Sequence, residues 1–304
     1  MVYIGPESLG WITIVEHGIR QSFDFTKVMF SRGNVTEKLR FGKHCVLPNE
    51  VILDMYSGIG YYTLPALILG HASMVYACEW NPQALVALKF NLRSQGIDFT
   101  ELAARKIVDQ KFGNSSYCID FQKKRSTKRA AIILEGDARE TCELFQIIDC
   151  VDRVSLGLLP SSEGGWNTAI RALRNQTGGW LHVHGNVPVE ERQKWTVWLC
   201  HRLLALVRDR DINSNWSVVC TNVVKVKSFA PRIDHVVADV FVGPIHHWQA
   251  NFQSTVLATQ NETFQVSCVY TLEEGKIIRH DAPPDAPSCC FSPHGAIHQS
   301  WLMD

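Results

Sequence analysis

The chain has 304 residues, 46% of them apolar, enough to bury a full-sized core, which excludes a disordered or fibrous protein. Lys plus Arg and Asp plus Glu number 30 each, so no net field draws the molecule to nucleic acid or an anionic membrane, and a polyanion must be held by a local patch. No apolar run approaches the ~20 residues that span a bilayer, and the N-terminus has an early Glu7 and no cleavable signal pattern, so a soluble, cytoplasmic protein is expected.

From Val51 onward, short apolar runs alternate with helical patterns, the signature of βαβ units and a parallel sheet. The run VILDMY predicts a first strand that ends in the Gly58-Ile59-Gly60 turn. Tyr62 to Leu69 then reads as a helix with Pro65 in its first turn. A second strand is expected at Met74 to Glu79. Asn81, a good N-cap, and Pro82 open a helix through Leu92 whose apolar stripe is Leu85, Leu88 and Leu92. Asp109 to Lys128, with Gly113, Asn114, Ser115, Ser116 and the basic run Lys123-Lys124-Arg125, breaks the pattern and reads as a surface insertion.

A third strand at Ala131 to Leu134 delivers Glu135-Gly136-Asp137, and a fourth at Val154 to Leu159 ends in Pro160-Ser161-Ser162. Asn167 to Leu173 predicts a helix, Trp180 to His184 a fifth strand, and Glu190 to Arg208 a long amphipathic helix. Two last strands, Ser217 to Val226 and His235 to Val242, are joined by a loop over Ser228 to Asp234. A further strand is expected at Val266 to Tyr270 within a poorly ordered tail. The expected fold class is α/β, a class I methyltransferase-like Rossmann fold with a seven-stranded mixed sheet. Its parts are an N-terminal segment 1–45, a catalytic domain 46–244 with the insertion near 105–130, and the tail 245–304. The ten cysteines contain no Cys-x-x-Cys pair, which favours reduced, structural thiols over a disulfide framework.

The chemistry is expected at the strand ends. Gly58 and Gly60 let the backbone approach a ligand with positive φ. Glu79 follows Gly60 at close to the spacing at which an acid accepts ribose hydroxyls, and Asp137 lies where a carboxylate receives an adenine amino group. Three successive strand ends agree on a nucleoside cofactor. Thr63 stands where a dinucleotide fingerprint has its third glycine, so no pyrophosphate is expected. Asp54 suits a sulfonium or α-ammonium cation, and S-adenosylmethionine is the expected cofactor.

The segments FDFTKVMFSRGNVTEKLRFG, LDMYSGIGYYTLPALI, ACEWNPQALVALKFNL, EGDAR, DRVSLGLLPSSEGGW, GGWLHVHGNV and KVKSFAPRIDHVVADV, in this order over residues 23–242, carry a resemblance. They resemble the wybutosine-synthesising tRNA aminocarboxypropyltransferases, relatives of the archaeal-type tRNA guanine-37 N1-methyltransferases. The resemblance implies cofactor contacts at Ser31, Lys38, Glu79, Asp137 and Ala138, with Lys38 on the methionyl carboxylate. It implies transfer of the 3-amino-3-carboxypropyl group of S-adenosylmethionine to 4-demethylwyosine at position 37 of phenylalanine tRNA, in its anticodon loop, with 5′-methylthioadenosine as the other product. It also implies a longer N-terminal region that grips tRNA in relatives, of which residues 1–45 are expected to be a partial, β-rich remnant.

The turn Leu158-Leu159-Pro160-Ser161-Ser162 lacks the Asn or Asp that base-nitrogen methyltransferases place here, so positioning of a ring-carbon nucleophile is expected rather than proton removal. Arg32, Asn34, Pro160, Ser161, Ser162 and His184 are the candidate substrate-side residues, of which Arg32, Pro160 and Ser161 are the catalytic candidates. Trp80 and Trp166 are candidates for stacking on a base, with core packing as the alternative. Arg32, Lys38, Arg40 and Lys43, and Lys123 to Arg129, are basic clusters for tRNA or simply solvated faces. His182 and His184 share a strand face, but no third ligand is spaced with them, and no metal is expected. Guanine-37 N1-methylation and a non-catalytic tRNA- or partner-binding role are the alternatives left open.

Overall fold

A computed structural model describes residues 9–103, 129–209, 216–244, 247, 268–273 and 276–280. The insertion expected at Asp109 to Lys128 lies outside them. The chain divides into two compact units, Met1–Gly157 and Leu158–Asp304.

The first unit opens with an antiparallel hairpin, β1 (Trp11–Glu16) and β2 (Ile19–Asp24). Its two turn residues, His17 and Gly18, both have positive φ, the geometry that matches the twist of a tight hairpin. A 3-10 turn at Arg32–Asn34, helix α1 (Val35–Arg40) and a π turn at Phe41–Cys45 follow. Five parallel strands come next: β3 (Val51–Asp54), β4 (Met74–Glu79), β5 (Asp98–Ala103), β6 (Ala130–Glu135) and β7 (Arg153–Leu156). Their order is β7-β3-β4-β6-β5.

Helices α2 (Thr63–Ile68), α3 (Pro82–Ser94) and α4 (Ala138–Leu144) alternate with these strands. The expected caps form: Asn81 Oδ1 accepts the Gln83 N–H at 2.9 Å, with Pro82 as the first helical residue. The stripe of Leu85, Leu88 and Leu92 packs into one core with Ile52, Leu64, Leu67, Val75 and Ile133. Buried on both faces, β3, β4 and β6 read as apolar runs.

The second unit holds α5 (Trp166–Ala172), β8 (Gly179–Pro188), α6 (Arg192–Asp209), β9 (Trp216–Ala230) and β10 (Ile233–Pro244). A hairpin of β11 (Cys268–Glu273) and β12 (Lys276–His280) pairs on β9, and the order β12-β11-β9-β10-β8 is antiparallel throughout. The strand expected at Val266 to Tyr270 is β11. The loop expected over Ser228 to Asp234 is shorter than predicted: Ala230 pairs with Ile233, leaving only Pro231 and Arg232 in the turn, where Arg232 takes a positive φ of 61°.

The fold is the class I methyltransferase-like Rossmann fold, parallel strands in the first unit and antiparallel ones in the second. Among the described residues the expected count of seven is corrected to eight, β3 to β10, with β11 and β12 in addition. The strand that was missing is β5. It is an edge strand, Asp98-Phe99-Thr100-Glu101-Leu102-Ala103, exposed at alternate positions and therefore without an apolar run.

Candidate functional site

Glu79, the last residue of β4, is fixed by three backbone donors. Its Oε2 accepts the Gly58 N–H at 2.8 Å, and its Oε1 accepts the N–H groups of Trp80 at 2.8 Å and Asn81 at 2.7 Å. Burial pushes its pKa up, and the three N–H groups act the other way. The carboxylate therefore ties the glycine turn to the end of β4 in one orientation. Ser57 reinforces the tie: its N–H and its hydroxyl both donate to the Cys78 carbonyl, at 2.9 and 3.0 Å. Gly58 and Gly60 have φ of 55° and 103°, and a Cβ on Gly58 would lie 2.5 Å from the Tyr61 ring. Beside this frame Trp80 is 76% exposed, so its indole is open to a planar ligand.

Asp54 lies behind the turn rather than on its surface. It is fully buried, and Thr63 Oγ1 donates to its Oδ2 at 2.7 Å. Burial raises its pKa to about 6, against the hydrogen bond from Thr63. Asp137 is the N-cap of α4, accepting the Arg139 N–H at 2.9 Å, and it pairs with the Arg139 guanidinium at 2.6 Å. Hydrogen bonding to Arg139 holds its pKa below the usual carboxylate value. Ala138 is buried as the first residue of the same helix. The Gly136 N–H donates to the Glu79 carbonyl at 2.9 Å, which joins the ends of β4 and β6.

The N-terminal candidates belong to the same unit. Ser31 Oγ donates to Asn34 Oδ1 at 3.2 Å across the 3-10 turn, and Arg32 is exposed. Lys38 is buried, and its Nζ donates to Glu16 Oε2 at 2.8 Å. Its ammonium stands 4.4 Å from the centroid of the Phe30 ring and 5.2 Å from that of Tyr61.

Pro160, Ser161, Ser162 and His184 belong to the second unit. The Leu159–Pro160 peptide is cis, Ser161 bridges to Gly185 of β8, and the Asn186 N–H donates to the Pro160 carbonyl at 3.1 Å. Ser161 Oγ accepts the Glu163 N–H at 3.2 Å, and Ser162 Oγ accepts the Trp166 indole N–H at 3.1 Å. Trp166 is buried against Trp198, the core reading of its two alternatives. His182 Nδ1 lies 2.7 Å from Asp239 Oδ1, and His184 Nδ1 lies 2.9 Å from His235 Nε2. Burial lowers the His235 pKa to about 4, so His235 is neutral near pH 7 where it meets His184.

Residues 13–104 match the family model described as the TRM5/TYW2 methyltransferase domain. The chain is 42% identical over 231 residues to tRNA wybutosine-synthesizing protein 2/3/4 of Arabidopsis thaliana, covering 76% of this chain and 19% of that protein. It is 33% identical over 267 residues to the tRNA wybutosine-synthesizing protein 2 homolog of Danio rerio, covering 77% of this chain and 56% of that protein. Over residues 13–104 the chain matches the TRM5/TYW2 family.

It spans about a fifth of the plant relative and just over half of the fish one. Solved TRM5/TYW2 structures share the fold. M. jannaschii TYW2, solved in complex with AdoMet, has a TM-score of 0.57 at 23% identity, covering 80% of this chain and 90% of that one. Trm5b from Pyrococcus abyssi has the same TM-score and identity, covering 79% and 58%.

Three residues around the turn do not stand out in the sequence. Asn91 is completely buried in α3, where its Oδ1 accepts the Ser22 N–H at 2.7 Å and its Nδ2 donates to the Ile59 carbonyl at 3.0 Å. It binds β2 to the glycine turn. A polar residue immediately before Leu92 of the helix stripe was the available signal. Tyr61, whose hydroxyl donates to the Met29 carbonyl, and Glu16 had none, because their partners lie far away in sequence.

Proposed function

We propose that this chain transfers the 3-amino-3-carboxypropyl group of S-adenosylmethionine to the 4-demethylwyosine base at position 37, in the anticodon loop of phenylalanine tRNA, in the cytoplasm. The observation that carries the reading is the likeness to wybutosine-synthesizing proteins over three quarters of the chain, at 33 to 42% identity. The residues fit the donor molecule. Gly58, at a φ of 55°, holds bare backbone in the turn, and Glu79 presents a fixed carboxylate beside it for ribose hydroxyls. Trp80 offers an exposed indole for adenine, Asp137 an acceptor for its amino group, and Ala138 lies next in the chain. Ser31 and Lys38 are assigned to the methionyl end. Asp54 sits behind the turn and is assigned to supporting it.

Bound S-adenosylmethionine supplies a sulfonium whose three carbon substituents are all electrophilic, so placement of the nucleophile decides which one moves. Pro160 and Ser161 are assigned to placing the base and Arg32 to the tRNA backbone. In this reading residues 46–244 perform the transfer, with Ser31, Arg32 and Lys38 contributed from residues 1–45. Among the described residues no helix is long and apolar enough to cross a membrane.

The equal fold likeness to Trm5b favours a second reading, methylation of guanine-37 on N1. Two samples of S-adenosylmethionine, one labelled on the methyl and one on the carboxyl carbon, separate the two. Carboxyl label entering tRNA is the expected result; methyl label in tRNA sinks the aminocarboxypropyl reading. Neither label in tRNA, with cofactor still bound, leaves a non-catalytic binding role.

A further inference from the structure

Lys38 carries its charge in a nearly closed space: its side chain is 3% exposed and that of its partner Glu16 is 9% exposed. The ammonium also faces the rings of Phe30 and Tyr61, whose faces attract a cation. The Tyr61 ring fills the space that a side chain on Gly58 would need. One aromatic ring therefore separates the Glu16–Lys38 pair from the glycine turn. Two buried charges offset each other's desolvation only while they stay paired, so a second anion that reaches Lys38 must replace Glu16 or share the ammonium with it.

We propose that Glu16 is a built-in competitor for the donor's carboxylate. It holds Lys38 before the donor binds, yields it to the methionyl carboxylate, and takes it back after transfer. The inference rests on the function proposed above, in which Lys38 receives that carboxylate. In the transfer a bond forms from the base carbon to the γ-carbon and the γ-carbon–sulfur bond breaks. Its electron pair stays on sulfur as a neutral thioether, and the base proton passes to solvent. The carboxylate then belongs to the modified tRNA, while 5′-methylthioadenosine has none. By reclaiming Lys38, Glu16 releases the RNA product, and the cost is weaker binding of the donor.

Calorimetry on the full chain tests this with two unreactive nucleosides, S-adenosylhomocysteine, which bears the carboxylate, and 5′-methylthioadenosine, which does not. If Glu16 holds Lys38 in about nine molecules of ten, Glu16→Gln tightens S-adenosylhomocysteine about tenfold. Binding of 5′-methylthioadenosine stays the same. Glu16→Asp, which keeps the charge but shortens its reach, gives a smaller gain of the same kind and stands in should the Gln variant fail to fold. The gain disappears in the Glu16→Gln, Lys38→Met double variant. A Glu16→Gln protein that binds S-adenosylhomocysteine equally or more weakly, or that shifts both nucleosides alike, overturns the role of Glu16 and leaves the function standing. A wild-type chain that binds neither nucleoside overturns both.

Discussion

The Asn91 side-chain amide donates to the carbonyl of Ile59, so the middle of the Gly58-Ile59-Gly60 turn is fastened to helix α3. The same side chain accepts from Ser22, so the hairpin and the turn share one anchor. Asn91→Ala leaves two buried backbone groups unpaired, at about 1–3 kcal/mol each in lost stability. Chemical denaturation reads that loss. Nucleoside affinity falls with it, since the turn is no longer held against helix α3.

Gly60→Ala tests the turn directly. An alanine at φ 103° is strained, and its Cβ would stand 2.9 Å from Leu64 Cγ and 3.2 Å from Leu88 Cδ1. Strain of this kind costs about 1–3 kcal/mol. A lowered urea midpoint and weaker S-adenosylhomocysteine binding are expected together.

Asp54 predicts a pH dependence of definite sign. Its folded pKa of about 6 lies above the ordinary 3.8, so the folded chain holds this proton more tightly than the unfolded chain. Ionising it costs stability: the penalty is absent below about pH 4, grows up to about pH 6 and is constant above, reaching about 3 kcal/mol. Asp54→Asn removes the titration and still accepts from Thr63. The stability of wild type minus that of Asp54→Asn therefore falls as pH rises from about 4 to 7. A flat difference over that range contradicts a raised Asp54.

Asp137 is a helix cap by observation and an adenine contact by proposal. Asn is as good an N-cap as Asp, so Asp137→Asn changes α4 stability by only a few tenths of a kcal/mol through the cap. Losing the negative acceptor weakens nucleoside binding severalfold in titration calorimetry. Unchanged binding leaves Asp137 with the cap alone.

Much of the first unit is legible because burial and chemistry act locally there. Continuous apolar runs mark β3, β4 and β6, and the residues at or just past their ends, Gly58, Glu79 and Asp137, lie at one side of the strands because parallel strands end together. Strand β5 is not legible, since an edge strand keeps polar residues at alternate positions and shows no run. The extent of β9 and β10 is also hidden, because Pro231-Arg232 makes a turn within a segment polar enough to read as a loop. At the site, residue types announce themselves but their partners do not. Lys38 reads as a surface cation until Glu16, 22 residues earlier, is seen against it, and Asn91 reads as one more helical polar residue until both of its bonds are traced.

The anchor at Asn91 also sets an order of events on the ribosome. Ser22 leaves the exit tunnel 69 residues ahead of the side chain that completes it. At synthesis rates of about 5–20 residues per second the hairpin waits roughly 3 to 14 seconds with Phe23 uncovered. During that interval the nascent β1–β2 ribbon is a natural client for a chaperone that binds apolar strands, and α3 is the element whose arrival ends the dependence.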